Sequence, residues 1–307
     1  MRPIANYTNV FFDANSTYAF DALNEKEYIL DILEQLHEQL GKNFDDFCFI
    51  VFSANGEGHI PTSADREFPG KKKILFYLSD ESGKTATELK GDFHCIFKSY
   101  LPYLGDPNIY PFPLGHMNDI RFEPAEIKNV NARTINAFFS GNLNINRIGL
   151  YKQFNPSRIP IFLLKQLIKI PFIKKGLVKN QRKELITDSF INFTSGFKQG
   201  LSKDEYKQYL LNSKIVFCPK GFISAETFRH LEAMSAGCIV ISEKLPQTSL
   251  YKDSPIIQVN DWQTAIAITR NLLKNNNELE VLQQRTLEFW RKNYSAAAVA
   301  KYITMHL

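Results

Sequence analysis

Residues 214–246 decide the fold of this chain, and their sequence is KIVFCPKGFISAETFRHLEAMSAGCIVISEKLP. The apolar run 215–218 predicts a buried strand, and the proline and glycine that follow it mark a loop. A helix is expected over about 226–236, and another buried strand over 239–241. A strand that leads through a loop into a helix and then into a second strand is typical of a parallel sheet with helices on both faces.

The same alternation extends in both directions along the chain. Further strands are predicted at 47–52, 74–78, 95–97, 137–140 and 256–259, and helices at 27–41, 261–273 and 278–292. Five prolines between 102 and 124 predict a loop with a domain boundary just after it. The sequence therefore predicts an α/β protein of two Rossmann-like domains whose parallel sheets face each other across a cleft. The first is 1–130, the second is 131–290, and a C-terminal helix in 291–307 packs back on the first.

Composition narrows the class of protein and its surroundings. A length of 307 residues suits two domains, and a net charge of +5 fits an anionic nucleotide or an anionic membrane but is too weak to indicate a nucleic acid. The four cysteines are widely spaced, which is typical of buried free thiols in a reducing compartment. The N-terminus is too polar for a signal peptide and no apolar run is long enough to span a bilayer, so we expect a cytoplasmic protein.

The loop and helix after residue 218 have the chemistry of a phosphate site. The carboxyl end of the strand and the N-terminus of the helix face one crevice, where free N–H groups attract an anion, and Gly221 lets the backbone approach closely. Arg229 and Glu232 are three positions apart and share a helix face. A guanidinium suits a diphosphate, and a carboxylate suits the two hydroxyls of a ribose. The alternative is a solvated salt bridge on the helix surface.

The stretch also resembles a known family. The residues that carry the likeness are Phe217, Cys218, Pro219, Gly221, Thr227, Arg229, Leu231, Glu232, Ala233, Ala236, Gly237, Cys238, Val240 and Ile241. They are similar to the C-terminal domain of exostosin-like glycosyltransferases, within the GT-B superfamily. The resemblance implies the GT-B fold, with Glu232 at the donor ribose and Arg229 near the diphosphate. Many GT-B enzymes have a second glutamate about eight positions earlier; Ser224 stands there, and the nearest acid, Glu226, either binds the donor or caps the helix.

Two further stretches extend the predicted donor site. Residues 138–142 (FFSGN) resemble the first strand and loop of a GT-B donor domain, so that Gly141 would admit the donor phosphates and Arg147 would neutralise them. The alternative for Arg147 is a surface arginine after an ordinary turn. After the strand at 239–241, Glu243 and Lys244 are candidates for sugar or phosphate contact, or plain surface charges. The predicted donor-binding residues are Gly141, Arg147, Lys220, Gly221, Glu226, Thr227, Arg229, Glu232 and Glu243.

Transfer of a sugar to a hydroxyl needs a general base, and the resemblance to GT-B enzymes implies that the first domain supplies it. Glu57, His59 and Asp80 follow predicted strands and are the predicted catalytic residues, with His116 and Asp119 as further candidates. The alternative for each is a solvated loop residue. No Asp-x-Asp triplet and no metal-ligand spacing of histidines occurs, so we expect no metal and no cofactor. Arg147, Arg229, Lys220 and the helix dipole would then replace the ion.

The sequence thus predicts a glycosyltransferase that moves a sugar from a nucleotide-sugar, with UDP as the expected nucleotide, to a hydroxyl of a glycan or lipid-linked acceptor. The resemblance implies an inverting, metal-independent enzyme of surface polysaccharide synthesis, such as capsule or lipopolysaccharide. The alternatives are a non-catalytic nucleotide- or sugar-binding module, or a GT-B enzyme that uses GDP- or CMP-activated sugars. A nicotinamide-dependent dehydrogenase would need a GxGxxG loop, which this sequence lacks.

Residues 158–183 form a basic and apolar segment with six lysines and two arginines. Such a segment predicts peripheral contact with an anionic surface on the inner face of the cytoplasmic membrane. The alternative is a helix whose apolar face packs on the domain core while its lysines point into water.

Overall fold

The computed structural model describes residues 2–3, 7–54, 61, 70–83, 86–89, 91–102, 106–155, 159–179, 185–196 and 199–307. Contacts divide the chain into two compact units. Unit 1 consists of Met1–Asn118, Pro246–Asp253 and Arg291–Leu307, and unit 2 of Asp119–Leu245 and Ser254–Trp290.

Each unit contains one sheet. The strands of unit 1 are β1 (Arg2–Pro3), β2 (Val10–Phe12), β3 (Phe47–Ser53), β4 (Lys72–Leu78), β5 (Cys95–Lys98) and β6 (Ile109–Pro111). The strands of unit 2 are β7 (Ile135–Asn142), β8 (Phe190–Thr194), β9 (Ser213–Cys218), β10 (Ile239–Glu243) and β11 (Ile257–Val259).

The α-helices lie between and after these strands. They are α1 (Lys26–Leu40), α2 (Ile148–Phe154), α3 (Ile161–Leu167), α4 (Pro171–Lys179), α5 (Lys203–Asn212), α6 (Phe228–Ser235), α7 (Trp262–Leu272), α8 (Asn276–Asn293) and α9 (Ala296–Thr304). None of the helices in the described ranges is both long enough and apolar enough to cross a bilayer.

Unit 1 is a sheet of order β1-β2-β3-β4-β5-β6, parallel except for the antiparallel pairing of β1 with β2. Every residue of β3 is buried, as expected for a central strand covered on both faces. Helix α1 buries Tyr28, Ile32 and Leu36, whose spacing places them on one face. Helix α9 packs on α1 and adds Val299 and other apolar side chains to the same core.

Unit 2 is an all-parallel sheet of order β11-β10-β9-β7-β8. Strand β7, the first of this unit along the chain, pairs with β8 on one side and with β9 on the other. The chain therefore reverses its direction of progress across the sheet at the β7–β9 pair. In α/β sheets this switch point is where a crevice opens beyond the carboxyl ends of the strands.

The structure bears out the strong patterns of the sequence and corrects several weak ones. Asp261 is the N-cap of α7 and accepts a hydrogen bond from the Thr264 N–H at 2.8 Å. The predicted loop at 102–126 contains β6, so the expectation of a continuous loop is wrong there. Strands β2 and β8 and helix α5 were not predicted. All four cysteines are buried and free.

Candidate functional site

The switch point of unit 2 gathers most of the residues that the sequence predicted for a donor site. Strand β7 ends with Ser140, Gly141 and Asn142, and the neighbouring β9 ends at Cys218. Helix α6 follows β9 after a loop of nine residues, and a turn after β7 leads to Arg147. Side chains of these elements meet beyond the sheet edge, where such folds bind ligands.

Helix α6 is fixed in place by His230, a residue that sequence reasoning did not single out. The Thr227 N–H donates to His230 Nδ1 (3.2 Å), and His230 Nε2 lies 2.7 Å from Ser242 Oγ, whose hydroxyl donates to the Cys218 carbonyl. Burial lowers the pKa of His230 to about 4, so the ring is neutral near pH 7. This chain of hydrogen bonds ties α6 to β9 and β10.

Arg229, in the first turn of α6, points toward the end of β7. Its Nη2 donates to the Ser140 carbonyl (2.7 Å), and its guanidinium carbon lies 5.1 Å from the centroid of the Phe139 ring. Its Nε is buried and has no hydrogen-bond partner in the described part of the chain. A buried guanidinium N–H without an acceptor is costly, so this atom would gain from a ligand oxygen.

Arg147 joins Arg229 at the same ring. Its Nε donates to the Lys220 carbonyl (3.1 Å), its Nη1 donates to the Asn142 carbonyl (2.9 Å), and its guanidinium carbon lies 5.7 Å from the Phe139 centroid. Only 6% of Arg147 is exposed, so the alternative of a surface arginine does not hold. Two guanidiniums therefore flank one buried phenyl ring beside Gly141.

Gly141 makes this pairing possible. A Cβ atom at this position would lie 3.0 Å from Arg147 Nη1 and 3.0 Å from Arg229 Nη2. Ordinary van der Waals contacts of a Cβ atom lie at 3.4–4 Å. Any other residue would therefore push at least one of the two guanidiniums away from the backbone.

Lys174 brings a third positive charge that the sequence did not reveal. It lies on α4, and its Nζ donates to Asn142 Oδ1 at 2.7 Å. Burial, and the positive charge of Arg147, lower the pKa of Lys174 below its ordinary value. Three cations from separate elements thus converge on Gly141 and Asn142. They repel one another, and an anionic ligand between them would offset that repulsion.

Glu232 is buried rather than solvated. It is 1% exposed, and its Oε2 accepts a hydrogen bond from the Tyr206 hydroxyl of α5 at 3.0 Å. Burial, and then the negative charge of Glu232, raise the pKa of Tyr206, so its hydroxyl keeps its proton. Burial raises the pKa of the Cys218 thiol at the end of β9; the positive charge of Arg229 lowers this pKa and the negative charge of Glu232 raises it. The alternative of a solvated Arg229–Glu232 salt bridge does not hold.

The loop between β9 and α6 is built from other predicted residues. The Lys220 N–H donates to Glu243 Oε2 (2.7 Å), and Glu243 Oε1 lies 3.3 Å from Trp262 Nε1, so this carboxylate braces the loop against β10 and α7. A Cβ on Gly221 would lie 3.2 Å from the Ser224 carbonyl. Glu243 therefore supports the site through the backbone of the loop.

Glu226 and Thr227 lie where this loop enters α6. Thr227 is the N-cap, so α6 begins two residues later than predicted and Glu226 lies outside it, 5% exposed. Glu226 is thus not the helix cap that one alternative expected.

The predicted catalytic residues fall in different surroundings. Glu57 and His59 lie outside the described residues. Asp80 forms a buried ion pair with Lys98, whose Nζ lies 2.9 Å from Asp80 Oδ2. Burial raises the pKa of Asp80, but hydrogen bonds from Ser82 and the charge of Lys98 outweigh it, so the pKa lies below its ordinary value. The Asp80 carboxylate is therefore half of a structural ion pair.

The two further candidates are also engaged in local contacts. The ring of His116 packs edge-on against Tyr28, and its Nδ1 lies 3.0 Å from the Met117 carbonyl oxygen. Asp119 forms an exposed ion pair with Lys203, with 2.6 Å between Nζ and Oδ2.

Unit 1 contains a buried acid that the sequence did not flag. Glu25 precedes α1, is 6% exposed and forms a side-chain hydrogen bond with Ser79, which follows β4. Ser79 also accepts a hydrogen bond from Ser53 Oγ at 2.9 Å. Burial raises the pKa of Glu25 to about 7. The only sequence signal was an acid next to a predicted helix start, which ordinarily indicates an exposed first-turn residue.

Metal-ligating side chains do not cluster in the part of the chain that the structure covers. Among those residues, no group of three or more histidines, cysteines, aspartates and glutamates could hold an ion.

Comparison with known proteins agrees with this geometry at the level of the fold. The sequence matches no protein-family model and no curated protein. Among solved structures, HepE from Anabaena, in complex with UDP and glucose, is similar with a TM-score of 0.52 and 10% identity, covering 96% of this chain and 98% of that one. TarM is similar with a TM-score of 0.50 and 12% identity over 89% of this chain, which spans 58% of TarM. The chain therefore has the two-domain α/β GT-B fold that the sequence predicted.

Proposed function

We propose that this protein is a glycosyltransferase that transfers a sugar from a nucleotide-sugar donor to a hydroxyl of a glycan or lipid-linked acceptor. The observation that carries the proposal is the convergence of three cations on residues 140–142: Arg229 donates to Ser140, and Arg147 and Lys174 donate to Asn142. That segment ends β7 at the switch point of a GT-B sheet. The UDP and glucose in the HepE structure support a UDP-sugar as the donor.

The three cations suit the diphosphate of such a donor. Arg229 offers a buried Nε that has no acceptor among the described residues, and Arg147 and Lys174 add charge at the same strand end. A developing negative charge on the leaving diphosphate is stabilised by donors that are already in position. The three side chains supply the positive charge that a divalent metal would otherwise bring, so we propose that the reaction is metal-independent.

Glu232 is proposed to hold the ribose. Its carboxylate already accepts a hydrogen bond from the Tyr206 hydroxyl, and it is buried. A ribose hydroxyl would therefore donate to Glu232 either beside Tyr206 or in its place. Tyr206→Phe distinguishes the two: if ribose replaces the tyrosine, the variant binds nucleotide at least as tightly as the parent protein.

In the proposed reaction the acceptor oxygen forms a bond to the anomeric carbon while the bond from that carbon to the diphosphate oxygen breaks. The diphosphate leaves with the electron pair, and a base takes the acceptor proton. Glu57 and His59 stay the predicted bases, whereas the ion pair with Lys98 makes Asp80 a weaker choice. Inversion at the anomeric carbon and a place in surface polysaccharide synthesis rest on the resemblance to exostosin-like enzymes alone.

Thermal unfolding with UDP, GDP, CMP and TDP, and with their sugars, tests the proposal. A ligand at a hundred times its Kd stabilises the folded state by about 2.7 kcal/mol, which raises Tm measurably. We expect Glu232→Gln to reduce the shift and Glu288→Gln, an exposed glutamate on α8, to leave it unchanged. No shift with any nucleotide at millimolar concentration would contradict the proposal. A shift without donor hydrolysis or transfer would indicate a non-catalytic binding module, and a preference for GDP or CMP would change the donor.

A further inference from the structure

We propose that helices α3 and α4 of unit 2 form a docking face for an anionic lipid bilayer. The inference concerns a surface apart from the nucleotide site and does not depend on the proposed function. It is carried by two independent observations, the exposure of large apolar side chains and the distribution of charge around them.

The apolar exposure is concentrated in one short stretch. Eleven large apolar side chains are exposed in the described residues, and five of them lie between 161 and 172: Ile161, Phe162, Leu163, Ile170 and Phe172. Phe172 is 85% exposed and Phe162 is 66% exposed. Burial of a phenylalanine contributes about 2–3 kcal/mol, so exposing two of them within eleven positions indicates a surface that becomes covered.

The alternative of simple packing on the core accounts for only part of this segment. Leu164 and Ile168 are buried in the core of unit 2, and they anchor α3 to it. Ile161, Phe162 and Leu163 in the turn before them remain in water. The anchor therefore holds α3 in place while Ile161, Phe162 and Leu163 stay exposed.

Helix α4 divides its two faces in the manner of an interfacial helix. Phe172, Lys175, Gly176 and Lys179 are exposed, and their spacing of three, four and seven residues puts them on one face. Leu177 and Val178 pack on the core from the other face. The exposed face therefore combines one large apolar side chain with two lysines, the composition of helices that lie in the plane of a membrane.

Charge identifies the partner as anionic. Residues 127–183 contain twelve of the 37 lysines and arginines of the chain and none of its 32 acids. The chain as a whole has a net charge of +5, so the remainder is net negative and the positive charge belongs to this part of unit 2. Lys165, Lys169, Lys175 and Lys179 are exposed among the apolar side chains. Headgroups of anionic lipids attract such lysines, and the acyl region takes the phenylalanines.

Bases of a single-stranded nucleic acid can stack on a phenylalanine, but they offer no apolar interior for Ile161, Leu163 and Ile170, so the geometry favours a bilayer. A groove of about 600 Å³ beside Phe172, lined also by Ile173, Gly176 and Leu177, extends the apolar surface. A bilayer satisfies both the charge and this apolar area with one partner.

Co-sedimentation of the full chain with vesicles tests the proposal. We expect binding to vesicles of phosphatidylcholine with phosphatidylglycerol, and none to phosphatidylcholine alone. High salt should weaken it, because the Debye length falls from about 10 Å at 0.1 M to about 3 Å at 1 M. Phe162→Ser with Phe172→Ser should weaken binding by at least about tenfold, given the apolar area each ring buries.

Matched variants distinguish binding by this face from the effects of total charge and of exposed apolar surface elsewhere. Lys165→Gln, Lys169→Gln and Lys175→Gln together should weaken binding by about fivefold per lysine. On α8, the exposed Val281→Ser and Arg285→Gln should leave it unchanged, and thermal unfolding should show all variants folded.

Four results would overturn the proposal. One is absence of binding to the anionic vesicles at low salt, and another is equal binding by the phenylalanine variants. The third is self-association without lipid that Phe172→Ser abolishes, since that would make the face a contact between copies of this chain. Binding of single-stranded RNA in place of vesicles would likewise reassign the face.

Discussion

Replacing Gly141 by alanine tests the central geometry of the site with the smallest possible change. The added methyl carbon would lie 3.0 Å from a nitrogen of Arg147 and 3.0 Å from a nitrogen of Arg229, well inside an ordinary contact distance. Both guanidiniums are held by backbone carbonyls, at 2.9 and 2.7 Å, so neither can retreat without stretching a hydrogen bond.

The expected effect on nucleotide affinity follows from those bonds. A hydrogen bond that involves a charged group contributes about 1.5–3 kcal/mol, so displacement of one guanidinium from the diphosphate should weaken UDP binding by roughly tenfold to a hundredfold. Isothermal titration with UDP measures this directly. Thermal unfolding of the unliganded variant shows whether the fold itself has suffered.

Gly176→Ala is the matched control. It lies on α4, and an added Cβ there would have no atom within 4 Å. Alanine favours a helix over glycine by about 1 kcal/mol, so this variant should bind UDP normally and unfold at a slightly higher temperature. Unchanged UDP affinity in Gly141→Ala would show that the phosphates do not lie between the two arginines, and the reasoning would fail.

Three further predictions concern single side chains. Lys174→Ala should weaken UDP binding by about tenfold, measured by isothermal titration. Lys175→Ala, which changes the exposed neighbouring lysine, should leave UDP binding unchanged; equal effects of the two variants would remove Lys174 from the site. Glu25 has a folded-state pKa of about 7 against an ordinary 4.5, so the folded state binds its proton more tightly and stability falls as pH rises from about 4.5 to 7, by about 3 kcal/mol. In urea unfolding, the stability of Glu25→Gln should no longer fall over this pH range, whereas the stability of Glu34→Gln should still fall. A fall that persists in Glu25→Gln would show that Glu25 is not its cause. Asp80→Ala should cost about 3 kcal/mol of unfolding free energy, because it removes the carboxylate that pairs with the buried Lys98; a loss under 1 kcal/mol would show that the pair is not structural.

The sequence predicted those parts of the fold that depend on local patterns. The continuous apolar runs of β3 and β4, and the helical spacing in α1, are visible in a few consecutive residues and were found. Strand β2 has only three residues, which is too short to show a period of two, and it was missed. The GT-B fold was predicted because the motif around α6, which carries the family resemblance, lies within a short stretch of sequence.

The candidate site was predictable only where a residue follows a local pattern. Gly141, Arg147 and Arg229 were predicted because each follows a recognisable strand end or helix start, and the structure places the three close together. Lys174 was missed, because its approach to Asn142 depends on how α4 lies on the finished sheet, and no pattern within α4 reports that. Glu25 was missed for the same reason, since only the packed structure shows that this acid is buried.

The strands that frame the site are far apart along the chain. Ile135 pairs with Ser213, and the residues between them form β8 and the helices α2 to α5. Such a pairing joins strands that are far apart along the chain, and closing the long loop between them costs entropy, which makes the pairing slow to form. The sheet edge that carries Gly141 is therefore expected to be completed late in folding.

His230 has a consequence for motion within unit 2. Because its two ring nitrogens connect the start of α6 to Ser242, this helix cannot turn about its axis without breaking both connections. Arg229, one position earlier, inherits that rigidity, whereas Lys174 is carried by a nine-residue helix with no buried side chain of its own. In the proposed site, Lys174 would therefore adjust to ligands of different size, while Arg229 would keep its position.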